Sequence, residues 1–193
     1  MMSKKVLVIL GHSLDDSFCA ALSAQYAVSA AAAGHQVQIL KLGDLQFDPI
    51  LHQGYRQIQP LEVDLVQAQA QIEWAEHIAL VYPIWWGAAP ALLKGFIDRV
   101  FVPGFAFKYQ ENSSFQVKLL KGRSAHLLVT MDTPPWYYRW VYRLSVLRQM
   151  RVTTLEFCGI QVKKTAIFGP VISAKPEQRS AWLAQACALA TRI

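Results

Sequence analysis

Three segments of this 193-residue chain combine residue types that suit chemistry. The first, Gly11-His12-Ser13-Leu14-Asp15-Asp16-Ser17-Phe18, separates an apolar run from an Ala-rich stretch. A helix starting there offers free backbone N–H groups which, with the Ser13 and Ser17 hydroxyls, suit a phosphate monoester or pyrophosphate. His12 adds a hydrogen bond or a positive charge, and Asp15 and Asp16 are expected to point outward. The alternative is that Asp16 or Ser17 only caps the helix. The second segment, Tyr82-Pro83-Ile84-Trp85-Trp86-Gly87-Ala88-Ala89-Pro90, sets two indoles side by side. A flat, apolar, electron-accepting ring fits such a wall: its face packs on an indole, backbone N–H groups reach its polar edge, and Gly87 permits close approach. Burial of both tryptophans in the core is the competing reading, but consecutive loop residues seldom point into one interior. The third segment, Thr130-Met131-Asp132-Thr133-Pro134-Pro135-Trp136-Tyr137-Tyr138, is stiff and then aromatic. It either completes the pocket, with a phenol from Tyr137 or Tyr138 near the reacting ring, or anchors a dimer interface.

The elements that must position these segments follow from hydrophobic patterning. Short apolar runs at Val6–Leu10, Val37–Leu40, Ile78–Tyr82, Ala125–Val129 and Thr165–Phe168 predict five strands, the first and third of them buried. Between them the pattern predicts helices over 18–33 (stopped by Gly34), 61–75, 91–100 (opened by Pro90), 136–150 and 177–193. Strands alternating with helices predict an α/β fold: one domain over residues 1–193, a doubly wound sheet of five parallel strands with helices on both faces. Ligands of such sheets sit beyond the carboxyl ends of the strands, where all three segments fall.

Composition narrows the classes. The hydrophobic fraction is 53% against 17% charged, which argues against disorder and for a covered sheet, a dimer surface or an apolar cavity. The apolar stretch Ile78–Leu93 is broken by Pro83, Gly87 and Pro90, so it is not expected to span a membrane. The start of the chain, Met1-Met2-Ser3-Lys4-Lys5, does not read as a secretory leader. Cys19, Cys158 and Cys187 are scattered and form no zinc or disulfide pattern, so no metal and a cytoplasmic setting are expected. Residues 1–100 carry a net charge of −3 and residues 101–193 one of +9. The basic half is either a solvated face or an attractor of nucleic acid, anionic lipid or a phosphate-bearing cosubstrate. Neither Gly-x-Gly-x-x-Gly nor a P-loop is present, which disfavours a Rossmann domain and a P-loop NTPase. No recognition helix or RNA-binding sheet pattern occurs, so nucleic acid is not expected as a partner.

The second segment continues as Ala91-Leu92-Leu93-Lys94-Gly95-Phe96-Ile97-Asp98-Arg99-Val100-Phe101 and then Gly104-Phe105-Ala106-Phe107. Together with Gly11-His12-Ser13 and Ser17-Phe18, this resembles the quinone-reductase branch of flavodoxin-like flavoproteins. That branch includes NAD(P)H quinone reductases, modulator-of-drug-activity-type reductases and the ancillary reductase of glutathione-gated potassium efflux systems. The resemblance implies a flavin cofactor, FMN or alternatively FAD, with NADH or NADPH as cosubstrate and a quinone-type acceptor. It implies that His12, Ser17, Phe18 and Cys19 surround the flavin phosphate or ribityl chain, and that Pro83, Ile84, Trp85, Trp86 and Gly87 run along the isoalloxazine. Thr130, Met131, Asp132 and Thr133 stand where many relatives have Thr-Thr-Gly-Gly, and two prolines that cannot donate follow. Tyr138 sits at the offset of the relatives' active-site tyrosine and is the expected catalytic phenol. Arg139, Arg143 or Arg148 are candidates for contacting a phosphorylated cosubstrate. A homodimer is expected. The competing expectations are a flavin-binding ancillary subunit of a membrane transporter and a one-electron carrier, the latter disfavoured by the basic charge.

Overall fold

The computed structural model describes residues 3–110 and 115–193, so Met1 and Met2 of the leader reading lie outside it. The chain alternates from the start: β1 Lys5–Leu10, α1 Phe18–Ala32, β2 Gln36–Lys41, α2 Val63–Trp74, β3 His77–Pro83 and α3 Ala91–Val100. A small antiparallel hairpin, β4 Phe107–Lys108 with β5 Val117–Lys118, precedes β6 Ser124–Thr130. Then come α4 Pro135–Trp140, α5 Ser145–Arg148, a π-helical stretch Gln149–Leu155, α6 Glu156–Cys158, β7 Gln161–Phe168 and α7 Pro176–Ala190. The main sheet is parallel throughout, in the order β2-β1-β3-β6-β7. The chain therefore has the five-stranded flavodoxin-like fold, with its order reversal between β1 and β3.

The period of two along each strand builds two cores. Leu7, Ile9, Ile78, Leu80, Leu127 and Val129 face α2, α3 and the π-helical stretch. Val6, Val8, Leu10, Ala79, Val81 and Leu128 face α1 and α7. The edge strands are the polar ones: β7 exposes Lys163 and Lys164, and its pairing with β6 is irregular at Ala125/His126. Such edges discourage further strand pairing.

Near the start of β3 and β6, opposite the strand ends that carry the loops, lies a buried polar chain. The Tyr26 hydroxyl is 3.0 Å from His77 Nε2 and 2.8 Å from His126 Nδ1, and His77 Nδ1 is 2.8 Å from Ser124 Oγ. These buried polar atoms thus partner one another, as burial demands.

The sequence expectations need two changes here. Residues 136–150 do not form one helix. The α4 helix ends after six residues, and Arg143 and Leu144 adopt left-handed conformations with φ of 51° and 54°. The Leu144 N–H reaches back to the Tyr138 carbonyl. Five of the residues between Trp136 and Tyr142 are aromatic and one is β-branched, so intrinsic propensity does little to carry the helix onward. Strand β7 also starts at Gln161, earlier than its apolar stretch, because Lys163 and Lys164 hide the strand pattern.

Candidate active site

The carboxyl ends of β1, β3 and β6 deliver the three loops to one cleft. It is lined by His12, Ser17, Phe18, Cys19, Pro83, Ile84, Trp85, Thr130, Met131, Asp132 and Val171, and its volume is about 140 Å³. No sequence pattern signals Val171, which arrives from the loop after β7; its N–H donates to the Met131 carbonyl.

The first loop is organised around helix α1. Ser17 is its N-cap: Oγ accepts from the Ala20 N–H at 3.2 Å and donates to the Leu14 carbonyl at 2.9 Å. With that cap made, the first-turn N–H groups of Phe18 and Cys19 have no intrahelical acceptor. They sit at the positive end of a 15-residue helix, an arrangement suited to an anion. The Ser17 hydroxyl is thus committed to capping, and the Phe18 and Cys19 N–H groups are the ones left free to receive an anion. His12 Nδ1 accepts from the Leu14 N–H at 2.9 Å, which leaves Nε2 to carry the proton of the neutral ring. Desolvation lowers the His12 pKa, partly opposed by Asp16, so the ring stays a neutral donor at neutral pH. Asp15 points outward as expected and pairs with Lys41 at 2.6 Å.

In the second loop, Trp85 and Ala88 exchange both backbone hydrogen bonds, at 3.0 and 2.9 Å. Trp86 and Gly87 between them have φ of 52° and 69°, so the loop tip is a type I′ turn. Trp85 lines the cleft and meets the His12 ring edge-on at 5.2 Å, bracing the first loop against the second. Trp86 does not share that wall. It is fully exposed, at 103%, and is not among the residues lining the cleft, and Gly87 supplies the turn geometry beside it. A left-handed, β-carbon-bearing residue costs about 1–2 kcal/mol and asparagine tolerates the region better. Trp86→Asn is therefore expected to raise the melting temperature by roughly 2–4 °C, read by thermal denaturation.

The third loop closes the cleft floor. The Cys19 thiol lies 3.1 Å from Thr130 Oγ1, and burial pushes its pKa up to about 12, so it remains a neutral thiol. Not all of residues 131–133 can donate to a ligand: the Met131 N–H is taken by the Phe168 carbonyl at 2.9 Å. Asp132 Oδ1 accepts from the Ile172 N–H at 2.8 Å, tying this loop to the one after β7. Thr133 is outside the lining, beyond the turn toward Pro134.

Tyr138 is not at the cleft. It is wholly buried in the core on the α3 side of the sheet, and burial raises its pKa. The amides of Leu147 and Val146 and the Ser145 hydroxyl approach its oxygen, which faces the start of α5. The early end of α4 explains the misplacement: Tyr138 lies on the inward face, whereas Trp136 and Trp140 lie outward.

The run from Leu93 to Val100 has a different use. Gly95 faces Pro49 of the long loop 45–62 so closely that a β-carbon there would overlap it. Arg99 is buried, and its guanidinium donates to the Asp48 and Pro60 carbonyls and, as a fork, to the Glu62 carboxylate at 2.8 and 3.2 Å. These residues fasten the long loop to α3; they do not line the cleft.

Comparison with known proteins bears on the family and the fold. The flavodoxin-like fold family matches residues 4–190. An uncharacterized NAD(P)H oxidoreductase of Haemophilus influenzae is 31% identical over 144 residues, spanning 72% of this chain and 69% of that protein. The ribosyldihydronicotinamide dehydrogenase [quinone] of Pongo abelii is 28% identical over 214 residues, spanning 94% and 90%. In fold, the chain superposes on the NAD(P)H:quinone oxidoreductase of Methanothermobacter marburgensis with a TM-score of 0.82 at 22% identity, covering 98% of each chain. With a parallel sheet in the order 2-1-3-6-7 and a capped helix start beyond β1, the chain belongs to the flavodoxin-like family, on the branch that holds the NAD(P)H quinone reductases.

Proposed function

We propose that this protein is a flavin-dependent NAD(P)H oxidoreductase that passes two electrons to quinones or similar acceptors by a ping-pong reaction. The observation that carries the reading is that a helix N-terminus with two uncommitted N–H groups and the Trp85 ring meet at one cleft. The first-turn N–H groups of Phe18 and Cys19 would hold the flavin phosphate, and Trp85, Ile84 and Pro83 would flank the ring. The N–H group of Asp132, a lining residue whose amide has no acceptor among the described residues, would serve its polar edge as a donor. A bound flavin supplies hydride acceptance from NADH or NADPH and two-electron delivery to the acceptor. The residues of the cleft orient the ring and keep His12 as a neutral donor beside it.

At about 140 Å³ the cleft is smaller than the ~300–1,000 Å³ that encloses a drug-sized ligand. A flavin there would keep one face open, and the nicotinamide and the quinone would use that face in turn. Parallel double-reciprocal lines for NADPH and menadione are the expected result. Intersecting lines would overturn the ping-pong order. A flavin-bearing protein that oxidises no NAD(P)H with any acceptor would return the reading to an ancillary subunit.

FMN is the proposed cofactor. A specific feature favours FAD as the second reading: Phe18 touches Trp182, at 5.8 Å between ring centroids, and Trp182 lines a neighbouring cleft of about 600 Å³ with Gly169, Pro170, Ser173, Lys175 and Gln178. That cleft has room for a nucleoside. Releasing the flavin and identifying it by mass decides between the two. We further propose a homodimer in the cytoplasm. The unpaired thiols, with Cys19 and Cys158 buried, suit a reducing setting, and exposed Tyr55, Ile58 and Tyr109 offer apolar surface for a second copy.

A further inference from the structure

We propose that the exposed aromatic and arginine face that follows the third loop docks on a lipid surface carrying anionic headgroups. Its aromatic rings touch one another. Trp136 meets Tyr137 edge-on at 5.6 Å, and Tyr137 meets Tyr142 at 5.3 Å. Trp136 and Trp140 lie one helical turn apart on α4 and are 65% and 75% exposed, with Val141 and Tyr142 also in solvent. Large exposed apolar patches mark interaction surfaces. Between Asp132 and Glu156 the chain carries Arg139, Arg143, Arg148 and Arg151 and no acid. All four arginines are exposed, and among the described residues only Arg151 has an ion-pair partner, Glu156 at 2.8 Å.

Charge selects the occupant. A second copy seated on this face about a two-fold axis would set the same arginines against themselves, with no acid in the segment to answer them. An anionic bilayer answers both features at once. Tryptophan and tyrosine settle at the headgroup level, and arginines beside them pair with anionic lipid. No helix of the described residues is long and apolar enough to cross a membrane, so the contact is peripheral. The backbone is also unusual here: left-handed Arg143 and Leu144 turn the chain sharply at the end of α4. Strain of this kind concentrates at binding sites.

The face begins at Trp136, a short step along the chain from Asp132 in the cleft lining, so both open at the carboxyl end of the sheet. Docking would turn the cleft toward acceptors dissolved in the bilayer. That consequence rests on the flavin reading above, whereas the lipid contact does not.

The test is co-sedimentation of the full protein with vesicles of phosphatidylcholine alone and of phosphatidylcholine with a quarter phosphatidylserine, at low and high salt. Flavin content is measured in the same samples, so loss of the flavin reading and loss of lipid binding are told apart. Binding to the anionic vesicles only, reversed by salt, is expected. Each arginine near an anionic surface is worth about five-fold in affinity. The combined variant Arg139→Gln, Arg143→Asn, Arg148→Gln is therefore expected to bind about 100-fold more weakly. Asparagine is used at 143 because it tolerates the left-handed backbone. A second measurement needs no variant: bromine-labelled acyl chains are expected to quench the wild-type tryptophan fluorescence. The proposal is overturned if the wild type ignores anionic vesicles, if it binds neutral ones equally, or if the folded variant binds unchanged. It is likewise overturned if the variant instead loses self-association, which would assign the face to a second copy.

Discussion

Replacing Arg99 with methionine is expected to cost about 3–5 kcal/mol of stability, the range for breaking a buried ion pair from one side. The guanidinium is wholly buried, while Glu62 is a third exposed, so the carboxylate left behind recovers some hydration. The larger loss falls on the backbone. The Asp48 and Pro60 carbonyls lose their donor, and the loop between them loses its attachment to α3. Glu62, whose carboxyl is held below the usual range by Arg99 and the Asp48 amide despite some desolvation, returns toward an ordinary carboxylate. Urea denaturation measures the cost, and limited proteolysis locates it: cutting within residues 48–62 should become fast. Arg99→Lys should recover only part of the loss, because one ammonium cannot reach two carbonyls and a carboxylate in fork geometry. A midpoint unchanged in the methionine variant would show that the loop is held by Gly95 packing and not by the ion pair.

Acid is expected to destabilise the fold well above the pH at which carboxylates titrate. Desolvation, with His126 and Lys4 adding repulsion, lowers His77 to about 2, and desolvation with Lys164 and Lys4 lowers His126 to about 4. Both rings stay neutral in the native state and take up protons near 6.5 once unfolded. The unfolded chain therefore binds more protons below that value, and stability falls as pH drops from 6.5 toward the native values. At pH 5.5 each histidine forfeits about 1.4 kcal/mol, or roughly 3 kcal/mol together. For a chain of this size that lowers the melting temperature by roughly 6–12 °C relative to pH 7.5. His126→Gln should halve the drop. A melting temperature flat between pH 7.5 and 5.5 would mean that the Tyr26–His77–His126 chain accepts a proton without cost.

The three central strands were legible because each is a short, mostly apolar run buried on both faces, a pattern that depends on no distant residue, and the edge strands β2 and β7 showed through shorter apolar stretches. The loops of the cleft were legible for a related reason: strand ends and a helix start fix where His12, Ser17, Pro83–Trp85 and Met131–Asp132 fall, whereas Phe18, Cys19 and Thr130 followed from the family resemblance. What escaped depended on long-range packing. Trp86 and Tyr138 could be placed only once the type I′ turn and the early end of α4 were known, since each decides which side chains face the cleft. Val171 and the Arg99 clamp are contacts across long sequence separation, and neither residue type signals its partner. The hairpin of β4 and β5 is two residues per strand, too short for periodicity to register.

The central claim is that the cleft behind Trp85 binds one flavin by its phosphate and ring. Equilibrium titration of the protein, freed of cofactor, with FMN, FAD and riboflavin tests it most directly. Saturation at one flavin per chain is expected, with FMN or FAD bound far more tightly than riboflavin because only they reach the Phe18 and Cys19 N–H groups with a phosphate. Absence of saturable binding by any of the three, or equal affinity for riboflavin, would contradict it.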